Sequence, residues 1–244
     1  MSTFVIGDIH GNLKSLNQIL ERANITKEDT LIFLGDYVDR FPESAEVIHR
    51  LIELQETNPC IFIMGNHDIW LKDYLNKGIA PNLWITQGGR ETIESYQKYF
   101  DNKEFIEMHR KFLNNMKPYY VDNKNRIFVH GGFTSYRGIE HEPYHTNYYW
   151  DRTLVQLAYY YSKLLEKNDN TPIPKILNTF NELYLGHTST ISWNDENGEP
   201  ITTPIKMYNV WNLDTGGGYK GKLTIMNIDS KEYWQSDNVE TLYT

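Results

Sequence analysis

The chain has 244 residues, 40% of them hydrophobic and 23% charged, with a formal net charge of −8. That length and balance suit one large domain, residues 1–244, with a sizeable core, and the negative charge argues against a nucleic-acid or anionic-membrane partner. No apolar run approaches ~18 residues, "MSTFVIG" does not read as a signal peptide, and the lone Cys60 excludes an intrachain disulfide or a cysteine metal knuckle, so the default expectation is a cytoplasmic protein.

"TFVIG" reads as a buried strand, and "NLKSLNQILERA" follows with apolar residues at 13, 16, 19, 20 and 23, one face of a helix. "TLIFLG" is a second strand, "ESAEVIHRLIELQET" a second amphipathic helix and "CIFIMG" a third strand, in which Cys60 is expected to pack as a small buried hydrophobe. This β-α-β-α-β order predicts a parallel sheet with helices against it. The middle is helical from about Arg90 to Asn115, "RIFVHGG" is another strand, and "DRTLVQLAYYYSKLLEK" is helix-like. "NDNTPIP" is a turn-rich break, the best place for a mobile loop. "LYLGHT", "IKMYNVWNLDTGG", "KLTIMNID" and "KEYWQS" then make the last third β-rich, with no linker dividing the chain.

One pattern recurs: an apolar strand, a glycine, then metal-type ligands, as in "VIGDIHG", "IFLGDYVDR", "IFIMGNHD", "IFVHGG" and "LYLGHT". Ligands in open α/β sheets collect beyond the carboxyl ends of the strands, which brings Asp8, His10, Asp36, Asn66, His130 and His187 to one rim. A single such end is no more than a turn; five together are not explained by turns. Imidazole and carboxylate donors without thiolate suit manganese, iron or zinc. Six ligands exceed what one ion that also binds water needs, and they suit two divalent ions ~3.5–4 Å apart with a central bridging carboxylate.

The series GDIHG, GDYVDR, GNHD, VHGG and GHT resembles the calcineurin-like metallophosphoesterases, and within them the phosphoprotein phosphatase branch, in its small bacterial and phage serine/threonine phosphatase class. "WITQGGRETIESY" resembles the W-x-x-x-G-G-x-x-T-x-x-S-Y segment of that branch, and "NLDTGGGYKGKLTIMNID" its terminal hairpin. The resemblance implies an α/β fold, a four-layer α/β/β/α sandwich whose central mixed β-sandwich is flanked by helices. It implies that Asp8 and His10 bind the first metal, that Asp36 bridges, and that Asn66, His130 and His187 complete the second, with manganese the first expectation. His67 resembles the family's general acid, Asp39 the carboxylate that orients it, and Arg40 a phosphate clamp. Arg152, in "YYWDRT", resembles a second phosphate-binding arginine, although a charge at a helix start fits that position nearly as well.

These roles also make sense as chemistry. A histidine held by an aspartate has a fixed tautomer and can protonate a leaving alkoxide. Arginine matches phosphate bidentately. A water shared by two metals attacks phosphorus in line. The plainer readings are an Asp39–Arg40 ion pair and, for Arg40, a surface charge. The sequence departs from the family where Phe41 and Pro42 replace the glycine after "GDYVDR", which reshapes the approach, and where Asp68 follows "GNH" and reads as structural. His49 and His109 read as surface residues. The tyrosines between 136 and 161 read as a packed aromatic layer or, more sharply, as a base-stacking surface, with His141 and His145 beside them. The expected activity is hydrolysis of a phosphorylated protein, peptide or small phosphomonoester. The alternatives are a symmetrical bis(5'-nucleosyl)-tetraphosphatase and a non-catalytic phosphate-binding module. Between Gly131 and Pro172 the basic residues Arg137, Arg152, Lys163 and Lys167 are outnumbered by acidic ones, which weighs against a trough for a long polyphosphate.

Overall fold

The computed structural model describes residues 1–168 and 170–243. Strands β1 (Thr3–Ile6), β2 (Thr30–Phe33) and β3 (Cys60–Phe62) alternate with helices α1 (Leu13–Arg22) and α2 (Ser44–Thr57), as the sequence predicts. Helix α3 (Asn66–Lys77) starts directly after β3. The short α4 (Asn82–Trp84) leads through a kinked turn into α5 (Arg90–Gln97), and α6 (Lys103–Asn115) follows. The helical stretch expected over 90–115 is therefore two helices, with Asn102 capping the second through its side chain and the Phe105 amide. Next come β4 (Tyr119–Val121), β5 (Arg126–Val129), α7 (Asn147–Trp150), α8 (Thr153–Glu166), β6 (Glu182–Leu185), β7 (Ile205–Met207), β8 (Val210–Asn212), β9 (Thr224–Asn227), β10 (Tyr233–Gln235) and α9 (Val239–Leu242). In the break expected over 168–174, Asp169 lies outside the described residues, and 170–174 run without regular structure.

The strands form two five-stranded sheets, ordered β10-β9-β1-β2-β3 and β4-β5-β6-β8-β7. β1, β2 and β3 are parallel, with Phe4 opposite Leu31 and Leu31 opposite Cys60; β5, β6 and β8 are parallel in the second sheet. Side chains alternate across each strand, so both faces of each sheet are apolar. Phe4, Ile6, Leu31, Phe33 and Ile225 pack with the helices of the first half. Ile127, Val129, Leu183 and Leu185 pack with α8. Val5, Ile32, Leu34, Phe128, Tyr184 and Met226 meet between the sheets. The result is the expected α/β/β/α sandwich.

Cys60 is half-buried at the edge of the first sheet, and burial pushes its thiol up to about 12. His109 is fully buried, not at the surface: its Nδ1 meets the Tyr96 hydroxyl at 2.8 Å and Phe105 lies over its ring, while burial and then His49 push its pKa down to about 3. Its place on the apolar stripe of α6, with Ile106 and Phe112, carries it inward. His49 is half-exposed, as expected of a surface residue. No helix among the described residues is long and apolar enough to cross a membrane.

Candidate active site

The loops after β1, β2, β3, β5, β6 and β8 converge on one cleft, of ≈ 60 Å³, which the side chains of His10, Asp36, Asn66, His67, His187 and Asp214 line together with Arg40, Gln87, Trp150, Arg152 and Tyr219. His130 lies directly behind it, 3.3 Å from Asp36. Sharp turns bring the polar groups in. His10, Asp36, Asp39, Arg40 and His187 all have positive φ without being glycine, and this left-handed geometry is costly enough to be held only by firm surroundings. A side chain on Gly35 would press against Gly65 and the His130 ring, so the glycine before the ligand is required there.

Asp36 is the hub. Its Oδ2 lies 3.3 Å from His130 Nε2, 3.7 Å from His10 Nε2 and 4.0 Å from His67 Nε2, and its Oδ1 accepts the His67 amide at 3.0 Å. Two sets of ligand atoms gather within 4.8 Å: His10, Asp36 and His67, and Asp36, His130 and His187. Asp36 belongs to both. The rings of His10 and His130 engage the carbonyls of Val38 and Leu34 through Nδ1, at 3.0 and 2.9 Å, which turns Nε2 toward the cleft. Asn66 Oδ1 lies 3.1 Å from His130 Nε2, and Asp8 Oδ2 accepts the His187 amide at 3.0 Å.

His67 Nδ1 meets Asp39 Oδ2 at 2.5 Å. The buried Asp39 carboxylate also accepts Trp84 Nε1 at 2.8 Å and the Thr92 hydroxyl at 2.6 Å. Asp39 thus bonds the histidine ring, and no Asp39–Arg40 ion pair is found among the described residues. The segment 84–96 supplies this support: besides Trp84 and Thr92, the Gly88 carbonyl accepts the Arg40 amide at 3.1 Å, and Ser95 accepts the Ala45 amide at 2.9 Å. Asp68 is structural, as expected: its two oxygens accept the amides of Asp36, Tyr37 and Gly65.

The charge balance fits bound cations. Burial and the neighbouring Asp214 push Asp8 well above the usual carboxylate range. Burial opposes ionisation of Asp36, but His130 and His67 hold it well below that range. Burial likewise opposes the charge on His130, yet Asp36 lifts it to about 9, a proton that a cation would displace. Burial, with His130 and Arg152, lowers His187 to about 2, and burial and Arg40 lower His10. Asp8 Oδ1 and His187 Nε2 are buried with no hydrogen-bond partner among the described residues. Orphaned oxygen and imidazole donors around a shared carboxylate are what divalent ions of the manganese, iron or zinc type bind.

A profile of the calcineurin-like phosphoesterases matches residues 1–203. The chain belongs to this family. It is a metal-dependent phosphoester hydrolase, and divalent ions are its cofactors. It is 24% identical, over 96% of its length and 91% of the relative's, to the asymmetrical bis(5'-nucleosyl)-tetraphosphatase PrpE of Oceanobacillus iheyensis. It is also 24% identical to the symmetrical bis(5'-nucleosyl)-tetraphosphatase of Hamiltonella defensa, over 96% of both chains. A cold-active protein tyrosine phosphatase shares the fold, with TM-score 0.60 at 14% identity over 96% of this chain and 78% of that one.

In this calcineurin-like phosphoesterase the predicted residues all reach the cleft or its wall. Arg40 lies over the Tyr219 ring at 3.9 Å. Arg152 also lines the cleft, its Nη1 bonded to the His187 carbonyl at 2.9 Å and Thr188 Oγ1 at 3.0 Å. The Phe41 that replaces the family glycine packs on Tyr243, 5.1 Å between rings, and Tyr243 in turn bonds Glu43. Four cleft residues were not foreseen: Asp214, Tyr219, Trp150 and Gln87. Asp214 ends β8 as the other ligands end their strands, but its glycines follow it instead of preceding it. The tyrosines of the Tyr-rich segment are not among the cleft residues: Tyr148 and Tyr161 are buried in the core of the second half, Tyr136, Tyr144 and Tyr160 face solvent, and His145 stacks on Tyr148. His141 is likewise exposed and is not among the cleft residues.

Proposed function

We propose that the protein hydrolyses dinucleoside tetraphosphates, with residues 1–244 acting as one catalytic domain. The support that carries this reading is the pair of relatives aligned over nearly the whole chain, both named as bis(5'-nucleosyl)-tetraphosphatases. The phosphoprotein phosphatase expected from the motifs becomes the second reading.

Asp8, His10 and Asp36 are assigned to one metal, and Asp36, Asn66, His130 and His187 to the other. Divalent ions, when bound, supply Lewis-acid charge to phosphoryl oxygens and lower the pKa of water; manganese is the first to test. The chain's own residues do the rest. Arg40 and Arg152, both lining the cleft, hold and orient the phosphate chain, aided by Asn66. Water adds to one phosphorus, one P–O–P bond breaks, and His67 Nε2 gives its proton to the departing phosphate oxygen while Asp39 keeps Nδ1 in place. Two nucleotides result.

The second reading, a phosphomonoesterase acting on phosphoserine, phosphothreonine or small esters, is favoured by the small cleft, which has Arg40 and Arg152 as its arginine and lysine lining among the described residues. The test is kcat/KM with manganese for a dinucleoside tetraphosphate, a phosphopeptide and p-nitrophenyl phosphate. The proposal expects at least a ten-fold preference for the tetraphosphate, and the products separate symmetrical from asymmetrical cleavage. A preference for the phosphopeptide overturns it in favour of the second reading.

A further inference from the structure

Trp150 is 41% exposed although it lines the cleft. Its surroundings hold it still. Its ring meets Trp70 at 5.2 Å and His187 at 6.0 Å, both edge-on, and its backbone bonds the His187 side chain. A side chain on Gly131 would collide with the backbone of α7 at Asn147, Trp150 and Asp151, so the "HGG" turn is what lets this helix sit close. Asp151 then caps α8 through the Leu154 amide at 2.9 Å. Two residues after the indole, Arg152 is anchored by Nη1 alone and makes no other guanidinium hydrogen bond among the described residues. A flat apolar surface and a guanidinium free to bind phosphate thus stand side by side on one wall. Tyr219, also in the cleft lining, has one face covered by Arg40.

We propose that Trp150 is a nucleobase platform: the base of one nucleotide stacks on the indole while its phosphates reach Arg152 and the cleft. The proposal deepens the dinucleoside tetraphosphate reading and rests on it for the substrate. A rigid, half-exposed indole offers a π-face that any base can use, so affinity is gained without strict base selection. Trp150, not the tyrosines of 136–161, is then where the nucleoside half is recognised.

The probes are ADP and inorganic pyrophosphate, each used as an inhibitor of p-nitrophenyl phosphate hydrolysis, with ADP binding measured independently by calorimetry. Trp150→Leu is expected to weaken ADP about ten-fold and to change pyrophosphate by less than about three-fold, while Trp150→Phe keeps most of the ADP affinity. Equal losses for both ligands, or no loss in Trp150→Leu, would overturn the platform. An enzyme that binds ADP through Trp150 yet leaves the tetraphosphate intact would keep the platform and sink the substrate reading, so the two fail separately.

Discussion

On the side of the cleft built by His67 and Asp39, every buried carboxylate has protein partners. Asp39 holds His67, Trp84 and Thr92, and Asp68 accepts three backbone amides. On the side built by Asp8, His187 and Asp214, Asp8 Oδ1 and His187 Nε2 have no partner among the described residues, and burial, then the neighbouring Asp214, raises Asp8. The first side is shaped by the polypeptide alone and is ready to position a proton. The second is shaped for cations and completed by them. Asp36 joins the two.

The largest effect that sharpens this contrast comes from the proton side. His67→Asn is expected to keep the metals but lower kcat by ~10²–10⁴-fold on alkyl phosphates. The loss should shrink for substrates whose leaving group needs little help, including aryl phosphates and phosphoanhydrides. Equal losses across a leaving-group series would remove His67 as the acid. Asp39→Asn should give a milder version of the same profile.

A smaller effect separates support from chemistry. Thr92→Val removes one donor from the buried Asp39 and should cost about 2–3 kcal/mol of stability in urea unfolding, the price of leaving a charged group under-satisfied. Metal content should stay unchanged, because the cation side does not depend on that hydroxyl. Loss of metal in this variant would mean that the two sides are not separate.

The smallest effect lies behind the proton side, at His109. Its folded pKa, about 3, is depressed below the usual histidine value, so the unfolded chain takes up a proton that the folded one refuses. The His109 contribution is therefore complete above about pH 6.5 and is lost progressively as pH falls toward 3. Between pH 7 and 5 the wild type should lose about 1–2 kcal/mol more than His109→Gln. Parallel melting curves for the two proteins across that range would refute this.

The sequence displays some of this arrangement and hides the rest, for physical reasons. Five ligand-bearing strand ends are visible because each has an apolar run, a glycine and then a donor. Asp214 has the same place in space but the reverse order along the chain, so the pattern passes over it. The segment 84–96 shows its Trp, Gly, Thr and Ser, yet nothing local reveals that Trp84 and Thr92 meet at Asp39, more than 40 residues away. Continuous apolar runs mark the strands as buried on both faces, but pairing is a long-range property, and the division into two sheets rests on the family resemblance. A helical stripe carried His109 inward where a polar residue suggests surface. The tyrosine cluster drew attention by composition, while the aromatics that line the cleft are Trp150, within that cluster, and the distant Tyr219.

Metal content of the purified protein, wild type against Asp36→Asn, tests the central claim most directly. A carboxylate shared by both ligand sets predicts about two equivalents of divalent ion per chain in the wild type, and loss from both sites together in the variant, with activity lost alongside. A variant that holds two equivalents and keeps full activity would contradict the shared centre.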